Sequence, residues 1–93
     1  MKQLRERDIE RYLVSRVKEL SGEVRKVQWI GRRGAPDRLV MLPDGSIPTV
    51  WVELKAPGKK PEAHQVREHK RMKAMGQVVV VIDSKEAVDA LLA

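Results

Sequence analysis

Cysteine and phenylalanine are absent, and aromatic residues make up only 3% of the 93-residue chain. Without thiols there are no disulfides, no thiolate metal sites and no redox role. Long apolar runs are missing too: none approaches the ~18 residues of a membrane span. The opening stretch MKQLRERDIERY lacks the apolar segment of a signal peptide, so an intracellular (cytoplasmic) protein with no membrane partner is expected. There are no repeats, low-complexity tracts or long linkers, and the length is that of one domain, residues 1–93. A chain this short is only marginally stable alone, which makes homodimerisation a reasonable expectation.

Positive charge is in excess. There are 19 Lys+Arg against 13 Asp+Glu, a net charge of +6 and a pI near 10.0. That balance favours a polyanionic partner, either nucleic acid or an anionic surface, with simple solubility as the plainer reading.

The hydropathy pattern predicts α-β-β-β-α-β-α. Leu4, Ile9, Leu13, Val17 and Leu20 recur at mostly helical spacing over residues 4–20, and Ser21-Gly22 stops the helix. EVRKVQWI (23–30) alternates as a half-buried strand. The basic, Gly-rich loop GRRGAP (31–36) follows, then RLVML (38–42) as a strand and PDGSIP (43–48) as a turn. TVWVELK (49–55) is a β-branched, aromatic-rich strand and APGKKP (56–61) a second basic loop. EAHQVREHKRMKAM (62–75) reads as a helix ended by Gly76. QVVVVID (77–83) is an uninterrupted apolar strand, as if buried on both faces. Asp83 and Glu86 have the spacing of a capping box for a last helix. The fold class is therefore α/β with a mixed sheet. The last strand follows a crossover helix and should run parallel to its neighbour, with helices on the sheet's faces.

Within this pattern Asp37, Glu53 and Lys55 stand out, because strands deplete all three residue types. The midpoint between Asp37 and Glu53 is residue 45, inside the turn Asp44-Gly45-Ser46. A hairpin folded there sets Asp37 close to opposite Glu53, with Cβ atoms roughly 5 Å apart on one face. Lys55, two residues on, shares that face. Two such carboxylates repel unless a positive group lies between them. The plain reading is a salt-bridge cluster; the sharper one is a divalent cation. Hard oxygen donors without Cys or a His pair point to Mg²⁺ or Mn²⁺, completed by waters and a substrate phosphate. A cation there eases deprotonation of a water that can attack phosphorus. Lys55 could orient that water, assist its deprotonation or neutralise developing charge. The chemistry served is phosphodiester hydrolysis, with no organic cofactor.

These residues resemble the PD-(D/E)xK nuclease superfamily. Pro36-Asp37 matches the PD and Glu53-Leu54-Lys55 the ExK. The likeness is closer to the small VRR-NUC family, through Gly34-Ala35-Pro36-Asp37-Arg38-Leu39-Val40, Glu53-Leu54-Lys55-Ala56-Pro57-Gly58 and Gln65. Lys59-Lys60-Pro61-Glu62 departs from the small polar residue that the family often has before its Gln. The resemblance implies a restriction-endonuclease-like core and a catalytic set of Lys55, Asp37, Glu53 and Gln65. It implies metal ligation by Asp37, Glu53, the Leu54 backbone carbonyl and an acid on the first helix, for which Glu10 is the choice and Glu6 the rival. Free-standing members resemble dimeric, structure-selective nucleases that act on branched DNA such as four-way junctions. The expected function is thus a Mg²⁺- or Mn²⁺-dependent endonuclease on branched DNA. A non-catalytic nucleic-acid-binding module and a sequence-specific restriction-type enzyme are the alternatives.

Arg32, Arg33, Lys59 and Lys60 lie in the two loops flanking the carboxylates and are the candidate phosphate contacts. Arg38 should face the other side of the sheet from Asp37, where an ion pair is an equal possibility. His69, one turn after Gln65 on the same helix face, reads as a surface residue, with a contact to phosphate or to a metal ligand as the alternative, and His64 reads as exposed. Trp51, on the face of Glu53, is expected under the first helix.

Overall fold

The computed structural model describes residues 3–93. The element order is α1 (Glu6–Glu19), β1 (Glu23–Lys26), β2 (Arg38–Met41), β3 (Val50–Leu54), α2 (Ala63–Ala74), β4 (Val78–Ile82) and α3 (Lys85–Leu92). The strands form one sheet in the order β1-β2-β3-β4. The first three are antiparallel and β4 is parallel to β3, so the sheet is mixed and α2 is the crossover.

One face carries the core. Ile9, Leu13 and Val17 of α1 are fully buried at helical spacing and pack with Val40, Val50, Val52, Leu54, Ile82 and Val88 of α3. Burying each such side chain contributes about 1.5–3 kcal/mol. The alternation of β3 sends Val50, Val52 and Leu54 into this core, and therefore Trp51 and Glu53 to the opposite face. That opposite face is covered by α2, whose buried residues are Glu68, His69 and Met72.

Local chemistry sets the element ends. The Asp8 carboxylate accepts the Arg5 N–H at 2.8 Å and so caps α1. Ser84, and not the predicted Asp83, caps α3, its hydroxyl accepting the Ala87 N–H at 3.0 Å. The first strand is shorter than its alternating pattern, because the chain leaves the sheet after Lys26 and enters the 31–34 loop.

Two further expectations are corrected. Trp51 does not lie under α1: its indole N–H donates to Gln77 Oε1 at 3.0 Å and its ring packs against Trp29 at 5.1 Å between centroids. And β4 is not buried on both faces. It is one of the two edge strands, and Val78 and Val81 keep 36% and 38% of their surface exposed.

Candidate functional site

The site forms where β2 begins and β3 ends. Arg38 pairs with Val52 across the two strands. One step further along that register sets Asp37 opposite Glu53, as the hairpin midpoint predicts. The Asp37 carbonyl also accepts the Val27 N–H at 2.9 Å, which ties the first strand to this end of the sheet. Pro36 is fully buried, and its carbonyl accepts the Trp29 indole N–H at 2.8 Å. The backbone that delivers Asp37 is therefore fixed on both sides while the Asp37 side chain is 61% exposed.

Glu53 has the opposite environment. It is buried, and burial pushes its carboxyl up to about 7, with Asp37 and Glu6 adding repulsion and Lys55 and Arg38 pulling down. Lys55 is half-buried, and its backbone N–H donates to the Ile82 carbonyl at 2.9 Å. Its ammonium is near enough to be the leading charge that favours ionised Glu53.

Helix α2 supplies the other groups. Gln65 sits in its first turn, where Oε1 accepts the Glu62 N–H at 2.9 Å. Its Nε2 then faces Glu53 Oε2 at 3.3 Å. His69, one turn later, is 5% exposed, with Nε2 3.3 Å from Glu53 Oε1. This is a difference from the expected surface histidine. Burial lowers the imidazole pKa, and the charges of Lys73 and Lys55 lower it further against Glu68.

Arg38 organises the α1 side. Its Nε donates to Glu10 Oε2 at 2.6 Å, and its other nitrogens pair with Glu10 and, at 2.9 Å, with Asp37 Oδ1. It thus points to the α1 side, as expected, and reaches back to Asp37. The Glu10 carboxylate is engaged by this guanidinium. Glu6, one turn earlier and exposed, is the helix acid whose charge acts on Glu53.

The basic loops divide. Arg33, Lys59 and Lys60 are exposed beside the site. Arg32 instead reaches α2, 3.5 Å from Glu68 Oε1, a buried carboxylate that also takes Arg71 at 2.8 Å. The 31–34 loop closes on α2 at Gly34, whose φ is +87° and where a Cβ would lie 2.8 Å from the His64 carbonyl oxygen. His64 is half-buried there, not exposed.

Among the described residues no three His, Cys, Asp or Glu side chains cluster tightly enough to enclose a metal ion by themselves. The donor set is two carboxylates of unlike exposure on opposed strands, with the Leu54 backbone beside them. Hard oxygen donors, few in number, fit a cation that keeps several waters and takes substrate phosphate, as Mg²⁺ does.

Comparison with known proteins gives two relatives that match along nearly the whole chain. A protein described as "Putative nuclease p44", from Acyrthosiphon pisum secondary endosymbiont phage 1, is 50% identical over 86 residues, covering 92% of this chain and 90% of the relative. A solved structure described as "VRR_NUC domain" superposes with a TM-score of 0.81 at 42% identity, covering 94% of this chain and 92% of the other. No family model matches the chain.

Proposed function

This chain belongs to the VRR-NUC family of nucleases, and from that premise we propose that it is a metal-dependent, structure-selective DNA endonuclease that acts as a homodimer on branched DNA such as four-way junctions. The observation that carries the reading is Asp37 in register opposite Glu53, with Lys55 directly after the end of β3 and its charge acting on Glu53.

Asp37, Glu53 and the Leu54 carbonyl would hold the cation, with the α1 acids Glu10 and Glu6 beside it. Bound Mg²⁺ or Mn²⁺ supplies water of lowered pKa and neutralises charge on the scissile phosphate. Asp37 and Glu53 fix the position of that charge. Lys55, whose charge acts on Glu53, would orient the attacking water and offset negative charge as the P–O bond to the leaving sugar oxygen breaks. Gln65, its amide oxygen held by the Glu62 N–H, keeps Glu53 aimed through its Nε2. Exposed Arg33, Lys59 and Lys60 take flanking phosphates and read backbone position rather than base identity. A C₂ dimer would present two such sites to a branched substrate.

The test is cleavage of labelled four-way junction, fork, duplex and single strand with Mg²⁺, Mn²⁺ or EDTA, alongside Lys55→Ala. Metal-dependent junction cutting that the variant loses, with DNA binding retained, is the expected result. Binding without cutting under every condition would replace the reading with a non-catalytic DNA-binding module.

A further inference from the structure

We infer that His69 is a positioning residue for Glu53, forming with Gln65 a two-point clamp that sets the carboxylate plane for metal ligation. The inference rests on the nuclease reading above and extends it to a residue outside the matched motif.

The geometry is specific. Gln65 and His69 are one helical turn apart on α2 and face the same way. Each addresses a different oxygen of one carboxylate, Nε2 of Gln65 on Oε2 and Nε2 of His69 on Oε1, both at 3.3 Å. A carboxylate has about four lone-pair sites. An ionised carboxylate can only accept, so in the ligating form both neighbours donate from α2, and lone-pair sites are left over for a metal. His69 is 5% exposed and therefore cannot easily turn away from Glu53.

The chemistry of the two donors also matters. Among the described residues Glu53 has no Arg or Lys salt-bridge partner, unlike Asp37 and Glu10, which share Arg38. An ammonium or guanidinium on Glu53 would compete with a metal for its charge. Imidazole and amide N–H groups orient the carboxylate and leave its charge available. Partners that orient a metal ligand in this way typically change metal affinity 10–100-fold when removed.

The experiment is Mn²⁺ calorimetry on the full chain for wild type, His69→Leu and His69→Gln, each first checked by thermal melting. Leucine fills the buried space without a donor; glutamine restores an N–H. The expected result is a folded His69→Leu variant with Mn²⁺ affinity weakened about 10–100-fold and substantial recovery in His69→Gln. A folded His69→Leu that binds Mn²⁺ as wild type does would overturn the clamp and leave the nuclease reading intact. If His69→Leu does not fold, His69→Gln and His69→Asn decide: equal and undiminished affinity in both, despite their different reach, overturns the clamp. Wild type that binds no Mn²⁺ would overturn the metal-dependent reading itself, and the clamp with it.

Discussion

Arg38 Nε donates to Glu10 Oε2 at 2.6 Å, joining β2 to α1 across 28 residues of chain. The guanidinium side chain is 13% exposed and the carboxylate 26%. It also holds Asp37 Oδ1 at 2.9 Å, so one cation sets both the packing of α1 on the sheet and the direction of a proposed metal ligand.

Arg38→Leu should therefore act on stability and on the site together. Charge-assisted hydrogen bonds to a largely desolvated partner contribute about 1.5–3 kcal/mol each, and leaving Glu10 unpaired adds to the loss. A destabilisation of roughly 2–4 kcal/mol in urea melts is expected. Glu10→Gln, which keeps a hydrogen-bond acceptor for Arg38, should cost less. Equal stability of Arg38→Leu and wild type would remove Arg38 as the link between α1 and the hairpin.

Glu53 predicts a pH dependence with opposite signs for stability and metal affinity. Its carboxyl is raised from 4.5 to about 7, so the folded protein binds that proton more tightly than the unfolded chain does. Without metal, its contribution is fully present below about 4.5 and is lost as pH rises through about 7, at most about 3 kcal/mol. Glu53→Gln should flatten this part of the melting profile. Ligation needs the ionised form, so Mn²⁺ affinity should rise about tenfold per pH unit up to about 7 and then level off. Melting at pH 5–8 with and without Mn²⁺ checks both signs, and a stability that climbs across that window in metal-free wild type but not in Glu53→Gln would contradict the assignment.

Salt sensitivity tests the exposed loop cations. DNA affinity should fall steeply with ionic strength, and Lys59→Ala with Lys60→Ala should lower the slope of log K against log salt by about two, since each phosphate contact releases about 0.9 counterion. Fluorescence anisotropy across a salt series measures it. An unchanged slope would take these two lysines off the DNA. Arg32, already bound toward Glu68, should contribute less than Arg33.

The hairpin was legible because its register depends on local information. Asp-Gly in the turn set the fold point, and the side-chain period of two then carried Asp37 to Glu53. Which helix covers which face is different, since alternation defines two faces and does not assign them. That is why Trp51 was expected under α1 and instead lies with Trp29, on the face that α2 shares. The same ambiguity left His69 between a surface position and one at the site. Its spacing from Gln65 put both on one helix face, but only the crossover of α2 shows that this face looks onto Glu53. The apolar run of β4 marked a strand without marking its place, and an edge position leaves Val81 open where a central one would bury it.

Gln65 joins two structural tasks in one amide. Its oxygen ends the exposed backbone at the start of α2, and its nitrogen meets Glu53. Fraying of that first turn, ordinarily the least protected part of a helix, would then release one oxygen of Glu53 in the same motion. Order in the site is borrowed from the beginning of the helix, and slow amide exchange at the Glu62–Gln65 turn would be the visible mark of a carboxylate held still.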